Sequence, residues 1–300
     1  MGAARAREPR RVKLLVFGLG YSAEAFIGRT GSRFEGVVAT VRSAARRDAL
    51  ARPDLEIRLF PGEEDAIEAA IAEADALLVS VPPGADDPVL ARFGQAIAAA
   101  PPLSWIGYLS TVGVYGDHGG GWVDETTPPR PVSARSRERL AAEEAWLALG
   151  RATGRAVQVF RLAGIYGPGR SAFDKLADGS ARRIVKPGQV FNRIHVADIA
   201  AVLEASLDRP CPGAIYNVTD DEPAPPQDVV AHAARLAGLP LPPEVPFEAA
   251  ELGPMARSFY GENKRVRNTR IREELGVRLV APTYREGLAL IRRTSGAAPS

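Results

Sequence analysis

Short apolar runs alternate with amphipathic segments over the first half of the chain. The apolar runs predict strands at residues 12–17, 35–41, 55–60, 76–81, 104–110 and 156–161. Segments with helical periodicity lie between them, at residues 21–29, 43–51, 63–73, 87–99 and 133–150. Strands that are joined in this way by helices run parallel and are covered on both faces. The alternation therefore predicts an α/β fold with a doubly wound parallel sheet, the Rossmann fold.

After residue 162 this rhythm gives way to Gly/Pro-rich turns and short elements, which indicates a second, smaller lobe. We predict a dinucleotide-binding domain over residues 1–165, to which the chain returns near residues 190–218. A smaller C-terminal substrate lobe is predicted over residues 166–300. The Arg-rich stretch MGAARAREPRR at the N-terminus is predicted to be a short frayed tail.

Charge and cysteine content indicate which partners, compartments and metal sites to expect. The chain has 38 Lys and Arg against 36 Asp and Glu, and this net charge of +2 does not favour nucleic acid or a membrane surface as a partner. No apolar run approaches the roughly 20 residues of a membrane span. Cys211 is the single cysteine, so the chain has no internal disulfide, and no Cys/His cluster has metal-ligand spacing. We therefore expect a cytoplasmic protein with a small-molecule substrate and no metal.

The stretch VFGLGYSAEAF contains G-x-G-x-x-A directly after the first predicted strand and at the start of a helix. Gly18 permits a tight turn, Gly20 lets backbone amides approach a pyrophosphate, and Ala23 keeps the helix close to the sheet. The helix N-terminus then faces the phosphates, with Tyr21 and Ser22 in its first turn. In this strand-and-helix context the motif predicts dinucleotide binding rather than a purely structural turn.

The second predicted strand ends in ATVRSAARR, where an NAD-binding domain would place an acidic residue on the ribose. No Asp or Glu occurs between Val37 and Arg47. Arg42 and Ser43, followed by two more arginines, can instead hold a 2′-phosphate, because a guanidinium matches phosphate geometry. A solvated helix start is the alternative reading, but arginine is unfavourable at the positive end of a helix dipole. NADP is therefore favoured over NAD.

Five further stretches follow in order: YLSTVGVYGD, FRLAGIYGPGR, NRIHVADIA, IYNVTDDEP and ENKRVRNTRIREELGV. With the glycine turn, they resemble the extended and atypical short-chain dehydrogenase/reductase families, relatives of the nucleotide-sugar epimerases and dehydratases. The resemblance extends over nearly the whole chain. It implies an NAD(P)-dependent enzyme, and homodimers are common among such proteins.

The resemblance also implies roles for particular residues. Thr111 matches the Ser/Thr that hydrogen-bonds the substrate oxygen. The loop that lines the nicotinamide side matches Tyr166, Gly167 and Pro168. Arg170, Arg193, His195 and Asp198 match residues on the family's substrate side. They lie where the chain returns to the main domain and the second lobe begins. Of these, His195 is interpreted as a packed, hydrogen-bonded histidine, since no acidic partner or nucleophile is evident nearby.

The family's Tyr-x-x-x-Lys pair is missing from the helix after the fifth strand. Aligning LAAEE with the family's helix puts Arg135 at the tyrosine position and Arg139 at the lysine position, and no Tyr or Lys occurs between Gly116 and Ile165. Arg139 can still donate hydrogen bonds to a ribose. Arg135 cannot replace the tyrosine, because a guanidinium does not deprotonate at physiological pH. The resemblance is therefore to the atypical branch.

Three functions stay open at this point. The first is an NADP-dependent reductase or epimerase-like enzyme with another proton donor, for which Tyr115, Thr111 and an ordered water are candidates. The second is a non-catalytic NADP sensor that acts on a protein partner. The third is an isomerase or lyase without hydride transfer. The substrate-side stretches favour an enzyme, because a sensor has less need of them.

Overall fold

The computed structural model describes residues 12–101 and 103–294, and the predicted N-terminal tail lies outside these ranges. The strands are β1 (Val12–Phe17), β2 (Phe34–Val41), β3 (Glu56–Leu59), β4 (Ala76–Val79), β5 (Trp105–Thr111), β6 (Trp122–Val123), β7 (Ala156–Leu162), β8 (Gly164–Tyr166), β9 (Arg183–Val185), β10 (Arg193–His195), β11 (Ile215–Val218), β12 (Glu244–Pro246) and β13 (Arg265–Val266). The helices are α1 (Tyr21–Thr30), α2 (Ala44–Leu50), α3 (Glu64–Glu73), α4 (Pro88–Ala99), α5 (Ala134–Thr153), α6 (Ala172–Ala177), α7 (Val196–Asp208), α8 (Pro226–Ala237), α9 (Pro254–Phe259), α10 (Thr269–Glu273) and α11 (Tyr284–Thr294).

Seven strands form the central sheet in the order β11-β7-β5-β4-β1-β2-β3, and every neighbouring pair is parallel. The six strands predicted from the sequence and the Rossmann fold class are confirmed. The seventh strand, β11, was not predicted as a strand. Its four residues follow a Gly/Pro-rich turn and include the polar Asn217, so they do not form a clear apolar run.

Alternation along β1 separates the two faces of the sheet. Leu14 and Val16 pack with α1 and α7 in one core, whereas Leu15 and Phe17 pack with α3, α4 and α5 in the other. Successive side chains of a strand point to opposite faces, so an all-apolar strand needs helices on both. The carboxyl ends of β1, β2 and β5 consequently meet at one edge, where open α/β sheets bind ligands.

The second lobe has its own small core beside this edge. It is built around Tyr166, Ala233, Tyr284, Leu288 and Ile291, and it packs α8 against α11. Three parallel strand pairs, β8 with β10, β9 with β12 and β6 with β13, also lie outside the central sheet. Within the described ranges, no helix is long and apolar enough to cross a bilayer.

Candidate cofactor and substrate site

The turn between β1 and α1 leaves open space over its second glycine. Gly18 adopts φ +90°, a conformation that L side chains rarely adopt, and a Cβ there would lie 3.0 Å from the Val81 side chain. A Cβ on Gly20, in contrast, would meet nothing within 4 Å. Gly20 begins α1 without a side-chain cap, so the amides of the first turn stay available, and Ala23 is fully buried against the sheet. The turn therefore forms an uncapped, open cradle of the kind that holds a pyrophosphate.

Tyr21 joins this cradle to the loop after β8. Its hydroxyl donates to the Pro168 carbonyl at 2.9 Å, and a Cβ on Gly167 would lie only 2.3 Å from that hydroxyl. The Arg170 guanidinium lies 5.9 Å from the centre of the Tyr21 ring. The structure thus brings together the glycine turn and the loop that the sequence assigned to the nicotinamide side. Ser22, the next residue of α1, is buried.

Arg42 lies exposed at the end of β2, next to the cradle. Among the described residues none forms an ion pair or hydrogen bond with its side chain. The two following arginines differ, because Arg46 pairs with Glu24 at 2.7 Å and Arg47 pairs with Glu63 at 3.2 Å. The Ser43 hydroxyl oxygen accepts from the Arg46 amide and caps α2, so helix capping already engages this predicted cofactor residue.

Thr111 ends β5 at the carboxyl edge of the sheet and is half-buried. Its Oγ1 accepts a hydrogen bond from the Gly113 amide at 3.1 Å, which orients the side chain. That bond uses only the acceptor capacity of the hydroxyl, so its O–H proton stays available to a ligand oxygen.

Arg139 and Arg135 lie on α5 in different environments. Arg139 is half-buried, and its Nη1 donates to the Leu109 carbonyl at 3.0 Å and to the Tyr108 hydroxyl at 3.2 Å. Its other guanidinium nitrogens bond to no described residue. Arg135 is exposed one turn earlier. Of the two arginines that the sequence resemblance aligns with the Tyr and Lys positions, only Arg139 is thus held against the end of β5.

The position of Tyr115 corrects the expectation that it is a proton donor. The residue is fully buried, and its hydroxyl donates to Asn217 Oδ1 at 2.8 Å while accepting from Arg161 Nη1 at 3.0 Å. Burial also raises the pKa of this hydroxyl, and the Arg161 charge only partly offsets that effect. A hydroxyl with both partners in place and no exposed surface has no room for a substrate.

The partner of Tyr115 belongs to a buried ion pair that the sequence analysis missed. Arg161 on β7 and Glu143 on α5 are 3% and 1% exposed, and Arg161 Nη2 lies 2.7 Å from Glu143 Oε2. Glu143 also accepts from the Ser110 hydroxyl, next to Thr111. The sequence signal was a lone charge inside the apolar run AVQVFRL, since a charge buried in a strand requires a partner. The pair joins α5 to β7, and the Ser110 hydrogen bond joins α5 to the carboxyl end of β5.

Two of the residues expected near cofactor or substrate turn their side chains elsewhere. The Tyr166 ring packs in the second-lobe core. At this position of the loop, only backbone atoms are therefore available to a cofactor. The buried Asp198 carboxylate accepts from the amides of Val280 and Ala281, which secures the chain before α11. His195 is buried and caps α7, as a packed histidine would.

Comparison with known proteins adds to this geometry. Residues 97–219 match the NAD dependent epimerase/dehydratase family. A solved conserved protein of unknown function from Silicibacter pomeroyi DSS is 54% identical, over 94% of this chain and 99% of its own, with a TM-score of 0.88. Residues 97–219 thus resemble that family, and the solved relative matches nearly the whole chain.

Two further proteins are less similar to this chain. Protein YeeZ of Escherichia coli (strain K12) is 34% identical over 181 residues, and the match spans 58% of this chain and 63% of YeeZ, less than two thirds of that relative. The dTDP-glucose 4,6-dehydratase of Bacillus anthracis, solved in complex with NAD, shares the fold at 18% identity, with a TM-score of 0.76 over 95% of this chain and 96% of its own.

Proposed function

We propose that this protein is an NADP-dependent oxidoreductase or epimerase-type enzyme that acts on a small polar carbonyl compound. The observation that carries the proposal is the open glycine cradle beside an arginine, Arg42, that no described residue neutralises. An exposed guanidinium at the end of β2 lies where a dinucleotide-binding fold places the adenosine ribose. Its charge favours a ribose that carries a 2′-phosphate.

The residues present fit a bound dinucleotide. The uncapped amides of α1 would bind the pyrophosphate, and Gly20 leaves the space that the phosphates need. Arg139, whose Nε and Nη2 bond to no described residue, would hold the ribose near the nicotinamide. When bound, NADPH would supply the hydride that reduces a carbonyl.

Thr111 is the residue we assign to the substrate oxygen. No described residue accepts its hydroxyl proton, and its position at the end of β5 would orient a carbonyl toward the nicotinamide. Threonine is too weak an acid to release the proton itself, and Arg139 does not deprotonate at neutral pH. With Tyr115 buried, we assign proton transfer to a water that Thr111 orients.

A non-catalytic NADP sensor is the second candidate function. It is favoured by the absence of Tyr and Lys on α5 together with the burial of Tyr115, since the described part of the site then offers no strong side-chain acid. The two candidates share the cofactor and differ in turnover.

Calorimetry with NADPH and NADH tests the cofactor assignment. We expect NADPH to bind at least ~10-fold more tightly, because a charge-assisted contact is worth about 1.5–3 kcal/mol. Arg42→Ala should remove that preference. Arg58→Ala, which removes an arginine paired with Glu56 on the edge strand β3, is the matched control and should leave the preference intact. Equal affinities in the unaltered protein would contradict the assignment.

Gly20→Val tests the cradle without disturbing the fold. A side chain there touches no protein atom within 4 Å at its Cβ, so the melting temperature should hold while both dinucleotides lose binding. Retained NADPH affinity in this variant would place the pyrophosphate elsewhere.

Turnover separates the enzyme from the sensor. NADPH oxidation is followed at its absorbance band with a panel of aldehydes and ketones. For any compound that reacts, Thr111→Val should lower kcat about 10²-fold or more, the usual effect of losing an oxyanion donor, and Thr111→Ser should retain most activity. NADPH binding with no turnover on any carbonyl would favour the sensor.

A further inference from the structure

A second group of polar side chains lies on strand β10 and just after strand β11. Strand β10 pairs in parallel with β8, with Arg193 beside Gly164 and His195 beside Tyr166. Because alternate residues of a strand share a face, Arg193 and His195 point to the same side. Ile194, between them, is fully buried in the core on the opposite side.

His195 presents a hydrogen-bond donor without an acceptor. Its Nδ1 accepts from the Ala197 amide at 3.2 Å, so the neutral ring carries its proton on Nε2. Burial lowers the pKa of His195 and keeps the ring neutral. Nε2 is buried and bonds to no atom in the described ranges, and the ring packs edge-on against Tyr166 with centres 5.3 Å apart.

Asp220 is tied to the same strand. Its amide donates to the Arg193 carbonyl at 2.7 Å, and the residue is 1% exposed. Oδ1 accepts from the Glu222 amide at 3.3 Å, whereas Oδ2 is buried and has no partner in the described part of the chain. Burial raises the pKa of this carboxyl to about 8, so at neutral pH Oδ2 carries a proton and can donate it in a hydrogen bond.

Arg193 supplies the charge. Its Nη1 donates to the carbonyls of Phe191 and Ala224 at 2.9 and 3.0 Å, while Nε and Nη2 bond to no described residue. No described carboxylate lies within ion-pair distance of it. Arg193 and Asp220 both lie near Tyr166, against whose ring His195 packs. Two guanidinium nitrogens, His195 Nε2 and Asp220 Oδ2 therefore lack partners among the described residues in one region, which a ligand oxygen would complete, since buried polar groups are normally hydrogen-bonded.

We propose that Arg193, His195 and Asp220 form a subsite for a carboxylate on the substrate. One guanidinium edge presents two parallel N–H groups, which match the two oxygens of a carboxylate, and its single charge matches one negative charge. The loop from Tyr166 to Pro168 leads from this subsite to Tyr21 and the glycine cradle. Resting on the proposed function, this names the substrate class as a carbonyl compound that also carries a carboxylate.

The histidine side-chain NMR signals test the subsite directly, because the chain has only three histidines. The probes are benzoate and benzamide, which have nearly the same shape and differ in charge. Benzoate should shift the His195 Nε2–H signal saturably, and benzamide at the same concentrations should not. The signals of His118 and His232 serve as internal controls.

Variants show whether the charge is responsible. Arg193→Gln should weaken benzoate binding at least ~10-fold, the loss of a charge-assisted bidentate contact, and Arg193→Lys should restore part of it. Arg267→Gln, at an exposed arginine that lies over Trp122, should leave the benzoate titration unchanged. Dispersed histidine signals in each variant establish that it is folded.

Three results would overturn the subsite: no saturable shift with benzoate, an equal shift with benzamide, or tighter binding of inorganic phosphate than of benzoate. The titration is run without cofactor, so it can succeed or fail independently of the NADPH calorimetry. A protein that binds NADPH but not benzoate would keep the proposed function and lose this subsite.

Discussion

Replacing Asp220 with asparagine should change how the stability of this protein depends on pH. Burial raises the pKa of the Asp220 carboxyl from its ordinary value of 3.8 to about 8, and the neighbouring Arg193 charge only partly offsets this. Asp221 and Glu222 on the same loop add to the increase, and Tyr166 of β8 also lies near the carboxyl.

The sign follows from proton binding. Between pH 4 and pH 8 the folded protein holds a proton on Asp220 that the unfolded chain has released. The contribution of this group to stability is therefore fully present below about pH 4 and is lost as pH rises through about 8. Each pKa unit is worth about 1.4 kcal/mol, so the whole loss is on the order of 5 kcal/mol.

Asp220→Asn removes this titration and keeps the shape of the side chain. In urea unfolding, the variant and the unaltered protein should differ little near pH 4. At pH 8 to 9 the variant should be more stable by several kcal/mol, because it has no carboxylate to ionise in a buried site. Two unfolding profiles that stay parallel from pH 5 to pH 9 would refute the reasoning, and so would a variant that loses stability as pH rises.

Two further predictions concern packing. Glu143→Leu leaves Arg161 buried without its partner and should lower the unfolding free energy by about 3–5 kcal/mol in urea titrations. The double variant Glu143→Leu/Arg161→Leu should recover much of the lost unfolding free energy, because no unpaired charge is then buried. If it recovers none, the unpaired Arg161 charge is not the cause of the loss. Gly287→Ala places a Cβ 1.9 Å from the Tyr166 hydroxyl and should cost about 1–3 kcal/mol in thermal unfolding. Gly94→Ala in α4, where a Cβ meets nothing within 4 Å, is its control and should be neutral or stabilising by up to about 1 kcal/mol.

Much of the main domain could be predicted from the sequence, because its signals are local. A strand buried on both faces reads as a short apolar run, and a covering helix shows an apolar residue every three to four positions. All six predicted strands of the sheet and the five helices between them occur in the structure, with ends that differ by at most three residues. The glycine turn after β1 was also readable, since its geometry needs particular residues at fixed spacing.

The orientation and burial of the candidate site residues were decided by tertiary structure. Tyr115 and Tyr166 were both assigned to the site by position, yet one hydroxyl is enclosed by Arg161 and Asn217 and the other points into the second lobe. Nothing in the sequence indicated that Asp220 is buried, because TDDEP resembles an exposed turn. Whether a polar group is buried, paired or free depends on residues far away in the chain that pack around it, and no local pattern records those contacts.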